Sequence, residues 1–259
     1  MTPSLHMTYV GHATVLIEID GVRLLTDPLL RDWVGPLRRR GAKPNLARCQ
    51  SVDAVLISHM HWDHLDLPSL RLLDRTTQLI VPRGAVEMLR QQGFQRVKEM
   101  HAGDTAIVEP LEITATYAKH SGARYPLGPI ADCLGFVIRG RYHVYFAGDT
   151  GLFPEMATLS DDLDMALLPV WGWGPRLRGH HLDPLRAAQS LTLLRPRLAV
   201  PIHWGTFYPL GMGWIGPRFL THPPQAFARH AACVAPKVKV RILAPGESLR
   251  LQGDSMDEA

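Results

Sequence analysis

The sequence predicts an α/β protein built from two βα halves, packed sheet against sheet with helices outside. Three observations lead there. Short apolar runs of strand length dominate both halves, bounded by Gly, Pro and Asp. Helical stretches recur between them. The halves also echo each other, since a hairpin-like pair of strands ends in an aspartate in each, LLTDP at Asp27 and YFAGDTG at Asp149.

The elements follow in order. ATVLIEI and VRLLTD flank Asp20-Gly21, a favoured pair for a tight hairpin turn. DAVLIS (53–58) and QLIVP (78–82) read as buried strands, and AVEMLRQQG as a helix with a glycine stop. TAIVEP, LEITATYA, CLGFVIRG, HVYFAGD, DMALLPV and RLAVPI supply further strands. HLDPLRAAQSLTLLRP is a helix, with Asp183 as its cap and Pro184 in its first turn. PPQAFARHAACV is expected as another helix and VKVRIL as a last strand. No long linker interrupts the pattern, so residues 1–252 are expected to form one domain and the acidic tail, 253–259, to be disordered.

Composition narrows the function classes. A 46% hydrophobic, 20% charged chain of 259 residues is ordinary for a globular protein. No apolar run approaches the roughly 20 residues a spanning helix needs. The first residues lack a basic start followed by an apolar stretch, so no signal peptide is expected. The three cysteines, Cys49, Cys133 and Cys233, form no CxxC pair, which fits a reduced, cytoplasmic setting. Net charge is only +4, but residues 33–52 hold five Lys or Arg and no acid. Two readings of that block stay open, a solvated loop or a surface for anionic groups.

The chemistry concentrates in HMHWDH, residues 59–64. DAVLIS runs into His59, TATYA into His120, HVYFA into Asp149 and LAVP into His203, so four strands each end in a potential metal ligand. The donors exceed the four that a closed structural zinc site takes. They suit two ions about 3.5–4 Å apart. His59 and His61 are two apart, on one side of an extended segment, and make a three-histidine site with His120. Asp63, His64 and His203 make a second, and Asp149 can bridge both. Imidazole with carboxylate and no thiolate fits zinc first, then manganese or iron.

HMHWDH with YAKHSG, AGDTG and PIHWGTF resembles the metallo-β-lactamase superfamily, in its zinc-dependent hydrolase branch. GHATVLIEIDG, LLTDP, DAVLISHMHWDHLD, FAGDTGLFP, HLDPLRAA and IHWGTF stand in the order found in the N-acylphosphatidylethanolamine-hydrolysing phospholipase D group, and GPLRRR is similar to a segment of it. The likeness covers most of residues 8–207 and extends more distantly to the ascorbate-6-phosphate lactonase group. It implies a four-layer αββα sandwich. It also matches Asp27 to a residue that orients a ligand histidine, and His181 to the histidine of an HxDP motif. Those phospholipases carry an aromatic residue after the third-motif histidine and a tryptophan-rich segment beyond. Here Ser121 follows, in HSGARYPLGPIADCLGF.

The expected function is a binuclear metal-dependent hydrolase. A phosphodiesterase resembling phospholipase D is favoured, with a lactonase or other esterase as the alternative. Asp63, as a ligand, and His181, as a proton donor to the leaving group, are the expected catalytic residues. Asp27 is expected behind the ligands; His12 could sit beneath the site or simply pack. Arg38, Arg39 and Arg40 are candidates for binding an anionic small-molecule or lipid phosphodiester, with at most peripheral membrane contact. Trp171, Trp173 and Trp214 are candidates for a cleft wall, with core packing the plainer reading of each. Nucleic acid is not an expected partner, because no added domain or aromatic-interleaved basic motif is present. A non-catalytic metal-binding scaffold fits poorly with a complete ligand set.

Overall fold

The computed structural model describes residues 4–124, 128, 130–159, 162–172, 179–211 and 218–252, and the backbone of 255–258. The chain opens with β1 (Ser4–Gly11), β2 (Thr14–Ile19) and β3 (Val22–Thr26), followed by β4 (Trp33–Val34), β5 (Leu37–Arg39) and helix α1 (Leu46–Gln50). Next come β6 (Ala54–Leu56), α2 (Leu67–Leu70), β7 (Gln78–Pro82), α3 (Val86–Gln91) and β8 (Val97–Met100). The second half holds β9 (Thr105–Val108), β10 (Leu111–Tyr117), β11 (Leu134–Arg139), β12 (His143–Phe146), β13 (Met165–Pro169), α4 (Pro184–Leu194) and β14 (Leu198–Ile202). β15 (Phe207–Pro209), α5 (Arg218–Val234), β16 (Lys239–Val240), β17 (Ser248–Gln252) and β18 (Ser255–Glu258) complete it.

The strands form two large mixed sheets, ordered β18-β17-β1-β2-β3-β6-β7-β8 and β16-β14-β13-β12-β11-β10-β9, with a small sheet β15-β5-β4. Period-two alternation explains how the first sheet is covered on both faces. Val15 and Ile17 of β2 join the core shared with Phe136, Ile138 and Val144 of the second sheet, whereas Leu16 faces the other way. Ala54 and Leu56 likewise face the shared core while Val55 packs with Leu70 and Leu89 of α2 and α3. Helices α4 and α5 contribute Leu191 and Phe227 to the core of the second sheet. This is the expected sandwich of two sheets with outer helices.

Pairing direction decides where the site lies. β3, β6, β7 and β8 are parallel, as are β12, β13, β14 and β16. β1 is antiparallel to β2, which is antiparallel to β3, so β1 and β3 run the same way. By the same logic β10 runs with β12 through β11. The carboxyl ends of β1, β3 and β6 therefore share one edge of the first sheet, and those of β10, β12 and β14 one edge of the second, the edge where α/β sheets place ligands. Gly148, at φ +59°, lets the edges close. A Cβ there would stand 2.6 Å from Cβ of Ser58 on the other sheet.

Several local expectations are corrected. Helix α5 starts at Arg218, ahead of Pro223 and Pro224, which lie inside it. Both prolines are buried, and packing outweighs their poor fit to a helix interior. VKVRIL yields only the two-residue β16, and the last long strand is β17, paired with β1. Ser255–Glu258 lies as a strand along β17, whose edge offers backbone partners. The basic block is not a plain loop. It carries β4, β5 and α1.

Candidate metal centre

Six strand ends deliver the site, and the end of β1 is the one the sequence did not suggest. β1 leads to His12, β3 to Asp27, β6 to the 59–64 turn, β10 to His120, β12 to Asp149 and β14 to His203. Of the five non-glycine residues with positive φ among the described residues, three are His12 (60°), Asp27 (33°) and His203 (61°). Such backbone costs of order 1–3 kcal/mol each and gathers at functional positions.

The geometry brings the expected residues together in two clusters. His59 Nε2 and His61 Nδ1 lie 2.9 Å apart, and His120 Nε2 lies 3.2 Å from His61 Nδ1. Tetrahedral ligands at zinc–nitrogen bonds of about 2.1 Å stand roughly 3.4 Å from one another, so these nitrogens are close to the spacing one ion needs. Asp63, His64 and His203 form the second cluster, with His12 beside them. Asp63 Oδ2 is 3.7 Å from His64 Nε2 and 3.8 Å from His203 Nε2. Asp149 stands between the groups. Its Oδ1 is 3.4 Å from His203 Nε2, its Oδ2 is 3.4 Å from His64 Nε2, and it groups with His120 and His181 on the other side.

The partners behind the rings set their tautomers. A carbonyl only accepts, so His203 Nδ1 donates to Trp171 O at 2.6 Å and His120 Nδ1 to His180 O at 2.9 Å. Asp27 Oδ2 receives His64 Nδ1 at 2.7 Å and the Ser58 hydroxyl at 2.5 Å, while Oδ1 takes the Ser58 amide at 2.7 Å. With its hydrogen committed to Asp27, Ser58 Oγ accepts from His59 Nδ1 at 3.0 Å. A neutral imidazole has one N–H, so each of these rings, in its neutral form, presents a lone pair inward. His64 Nε2, His203 Nε2, Asp149 Oδ1 and His181 Nδ1 are buried with no hydrogen-bond partner. Buried polar atoms are rarely orphaned, and four such atoms converging on one place fit a cation site once the imidazoles are neutral.

Charge follows the same plan. Burial works against the charged form of His64, but Asp149, Asp63 and Asp27 outweigh it and raise its pKa. Burial opposes protonation of His203 as well, and Asp149 and Asp63 overcome it. The imidazoles hold Asp63 and Asp149 well below the usual carboxylate range despite burial. In the three-histidine cluster burial dominates and lowers His59, His61 and His120, the last to about 4. That cluster is neutral and ready to donate electron pairs, and an ion bound at the second would expel protons.

The remaining candidates divide. His12 Nε2 lies 2.9 Å from Asp63 Oδ2, while its backbone N–H donates to Thr206 Oγ1 and its carbonyl accepts from the His203 amide. His181 Nδ1 is 3.4 Å from Asp149 Oδ2, and Gly172 makes room for its ring, since a Cβ there would sit 2.8 Å from that nitrogen. Arg39, a candidate for binding an anionic substrate, has its side chain in the core. It is 7% exposed, donates to Leu29 O at 2.6 Å and Arg31 O at 3.3 Å, and stacks on Phe207. Arg38 and Arg40 are exposed, Arg38 over the Trp33 ring. Trp171 acts through its carbonyl on His203, whereas Trp173 and Trp214 lie outside the described residues. Sequence reasoning missed Ser58, Thr206 and Tyr9, whose hydroxyl donates to Trp204 O. Ser58 alone left a signal, its place directly before His59.

Two sheets with outer helices, carrying a two-cluster histidine and aspartate centre along their joined carboxyl edges, define the class of the metallo-β-lactamase fold. The beta-lactamase superfamily domain matches residues 22–204, and the chain belongs to that superfamily. A UPF0173 metal-dependent hydrolase of Methanopyrus kandleri is 34% identical over 254 residues, 94% of this chain and 99% of its own length. N-acyl-phosphatidylethanolamine-hydrolyzing phospholipase D 1 of Caenorhabditis elegans is 30% identical over 237 residues, 80% of this chain and 65% of its own. Among solved structures, a metallo hydrolase from the archaeon Ignicoccus hospitalis superposes with a TM-score of 0.73 at 27% identity, covering 97% of this chain and 100% of its own. No described helix is long and apolar enough to cross a membrane.

Proposed function

We propose that the protein is a binuclear metal-dependent hydrolase of phosphodiesters, with small-molecule or lipid substrates of the phospholipase D kind. His59, His61 and His120 would hold one divalent ion, Asp63, His64 and His203 the other, with Asp149 shared. Zinc suits this imidazole and carboxylate set first, manganese or iron next. Bound there, two such ions supply Lewis acidity and a nucleophile available at neutral pH. The observation that carries the reading is the set of buried atoms without a hydrogen bond, His64 Nε2, His203 Nε2 and Asp149 Oδ1, facing one another across the joined sheet edges.

The chain's own groups do the rest. Asp27 and Ser58 orient His64 and His59, and His12 braces Asp63. His181, 25% exposed and placed beside Asp149, protonates the departing oxygen. Arg38 and Arg40 attract the anionic substrate from the rim. The phospholipase relative supports the phosphodiester class, and that class accounts for a proton donor next to the shared carboxylate.

Assay of the zinc- or manganese-loaded protein on bis-p-nitrophenyl phosphate, N-acyl phospholipids and lactones tests this. Phosphodiester turnover that disappears in Asp63→Asn is expected. Turnover of lactones alone by the same loaded sample would replace the reading with a lactonase.

A further inference from the structure

Arg124 lies four residues beyond His120, in the stretch where the chain departs from the phospholipases, and is 7% exposed. Its Nη1 donates to Met60 O at 2.6 Å and to Leu65 O at 3.0 Å. These carbonyls flank His61, Trp62, Asp63 and His64. Within that span the His64 and Leu65 amides both donate to His61 O, at 3.1 and 2.9 Å. Met60 and Leu65 are fully buried, so their carbonyls need protein donors. One Nη1 carries two N–H groups and serves both. The guanidinium carbon also stands 4.6 Å from the centroid of the Trp62 ring.

We infer that Arg124 is a positioning residue, a clamp on the His61–His64 turn that sets the geometry of the Asp63 and His64 side of the centre. The inference rests on the two-ion reading above. Two donors of the second cluster hang from the clamped turn, against one, His61, of the three-histidine cluster. His59 is anchored by Ser58, and His120 belongs to the other sheet. Releasing the turn therefore weakens the second ion more than the first. A fixed planar fork spans two carbonyls where an ammonium on a flexible stem does not.

Zinc titration of metal-free wild type, Arg124→Met, Arg124→Lys and Trp62→Ala by calorimetry tests the clamp, with cobalt absorption spectra as a second readout of ligand geometry. Arg124→Met should weaken the second ion by on the order of 10–100-fold, the usual effect of losing an outer support. It should leave the first nearly unchanged and alter the cobalt bands. Arg124→Lys should recover part of the loss, and Trp62→Ala should leave both ions in place. Wild-type affinities in Arg124→Met, or an equal loss of both ions, would overturn the inference. If Arg124→Met does not fold, Arg124→Lys decides, through selective weakening of the second ion or its absence. A wild type that binds two ions yet turns over no phosphodiester defeats the substrate reading alone, whereas a wild type that binds one ion defeats the clamp.

Discussion

Asp27 Oδ2 lies 2.7 Å from His64 Nδ1, with both side chains fully buried. The same carboxylate binds the amide and hydroxyl of Ser58, and Ser58 accepts from His59. One aspartate just past the end of β3 thus orients an imidazole in each cluster, directly in one and through a hydroxyl in the other. Asp27→Asn keeps the size and removes the charge. Zinc affinity should fall on the order of 10–100-fold, with the second ion affected first. Calorimetric titration reads this, and unchanged affinity for both ions would reduce Asp27 to a turn residue.

His181→Ala separates a substrate role from a ligand role. The variant should keep both ions by elemental analysis while kcat drops by about 10²–10⁴, the range for a lost proton donor. A fall in metal content would make His181 a ligand alongside Asp149, which its 3.4 Å separation from Oδ2 also permits.

His12 gives the metal-free protein a pH signature. Burial first, then the neighbouring His203, lowers its pKa to about 4, against 6.5 in an unfolded chain. Between those values the unfolded state binds the extra proton, so folding stability declines as pH falls from about 6.5 toward 4. The slope from one such group approaches about 1.4 kcal/mol per pH unit. His12→Gln retains a donor for Asp63 and removes the titration. Urea unfolding across this window should give a flatter stability profile for the variant, and parallel profiles would refute the assignment.

Arg38 and Arg39 are neighbours with opposite fates. Arg39→Met should cost about 1–3 kcal/mol in denaturant unfolding, because the buried carbonyl of Leu29 and the half-buried one of Arg31 lose their donor. Arg38→Ala should leave stability near wild type and raise KM more than it lowers kcat, as lost uniform binding does. The reverse pattern would place Arg39 at the substrate.

The class of fold, and most of the histidines and aspartates that gather at the joined sheet edges, were legible in the sequence by itself. HxHxDH and the strand-end positions of His120, Asp149 and His203 are local, and period-two apolar runs report strands whatever packs on them. Three things needed the tertiary structure. Alternation along β5 turns Arg39 inward and Arg38 outward, so a run that reads as one basic block splits between core and surface. His12 could be packed filler or a brace for Asp63, and a contact across 51 residues decided it. The tautomers were invisible as well, because they depend on carbonyls at Trp171 and His180, brought behind the rings only when the sheet edges meet. Ligand identity is written in side-chain chemistry, but the direction in which each lone pair points is set by hydrogen bonds between residues far apart in the chain.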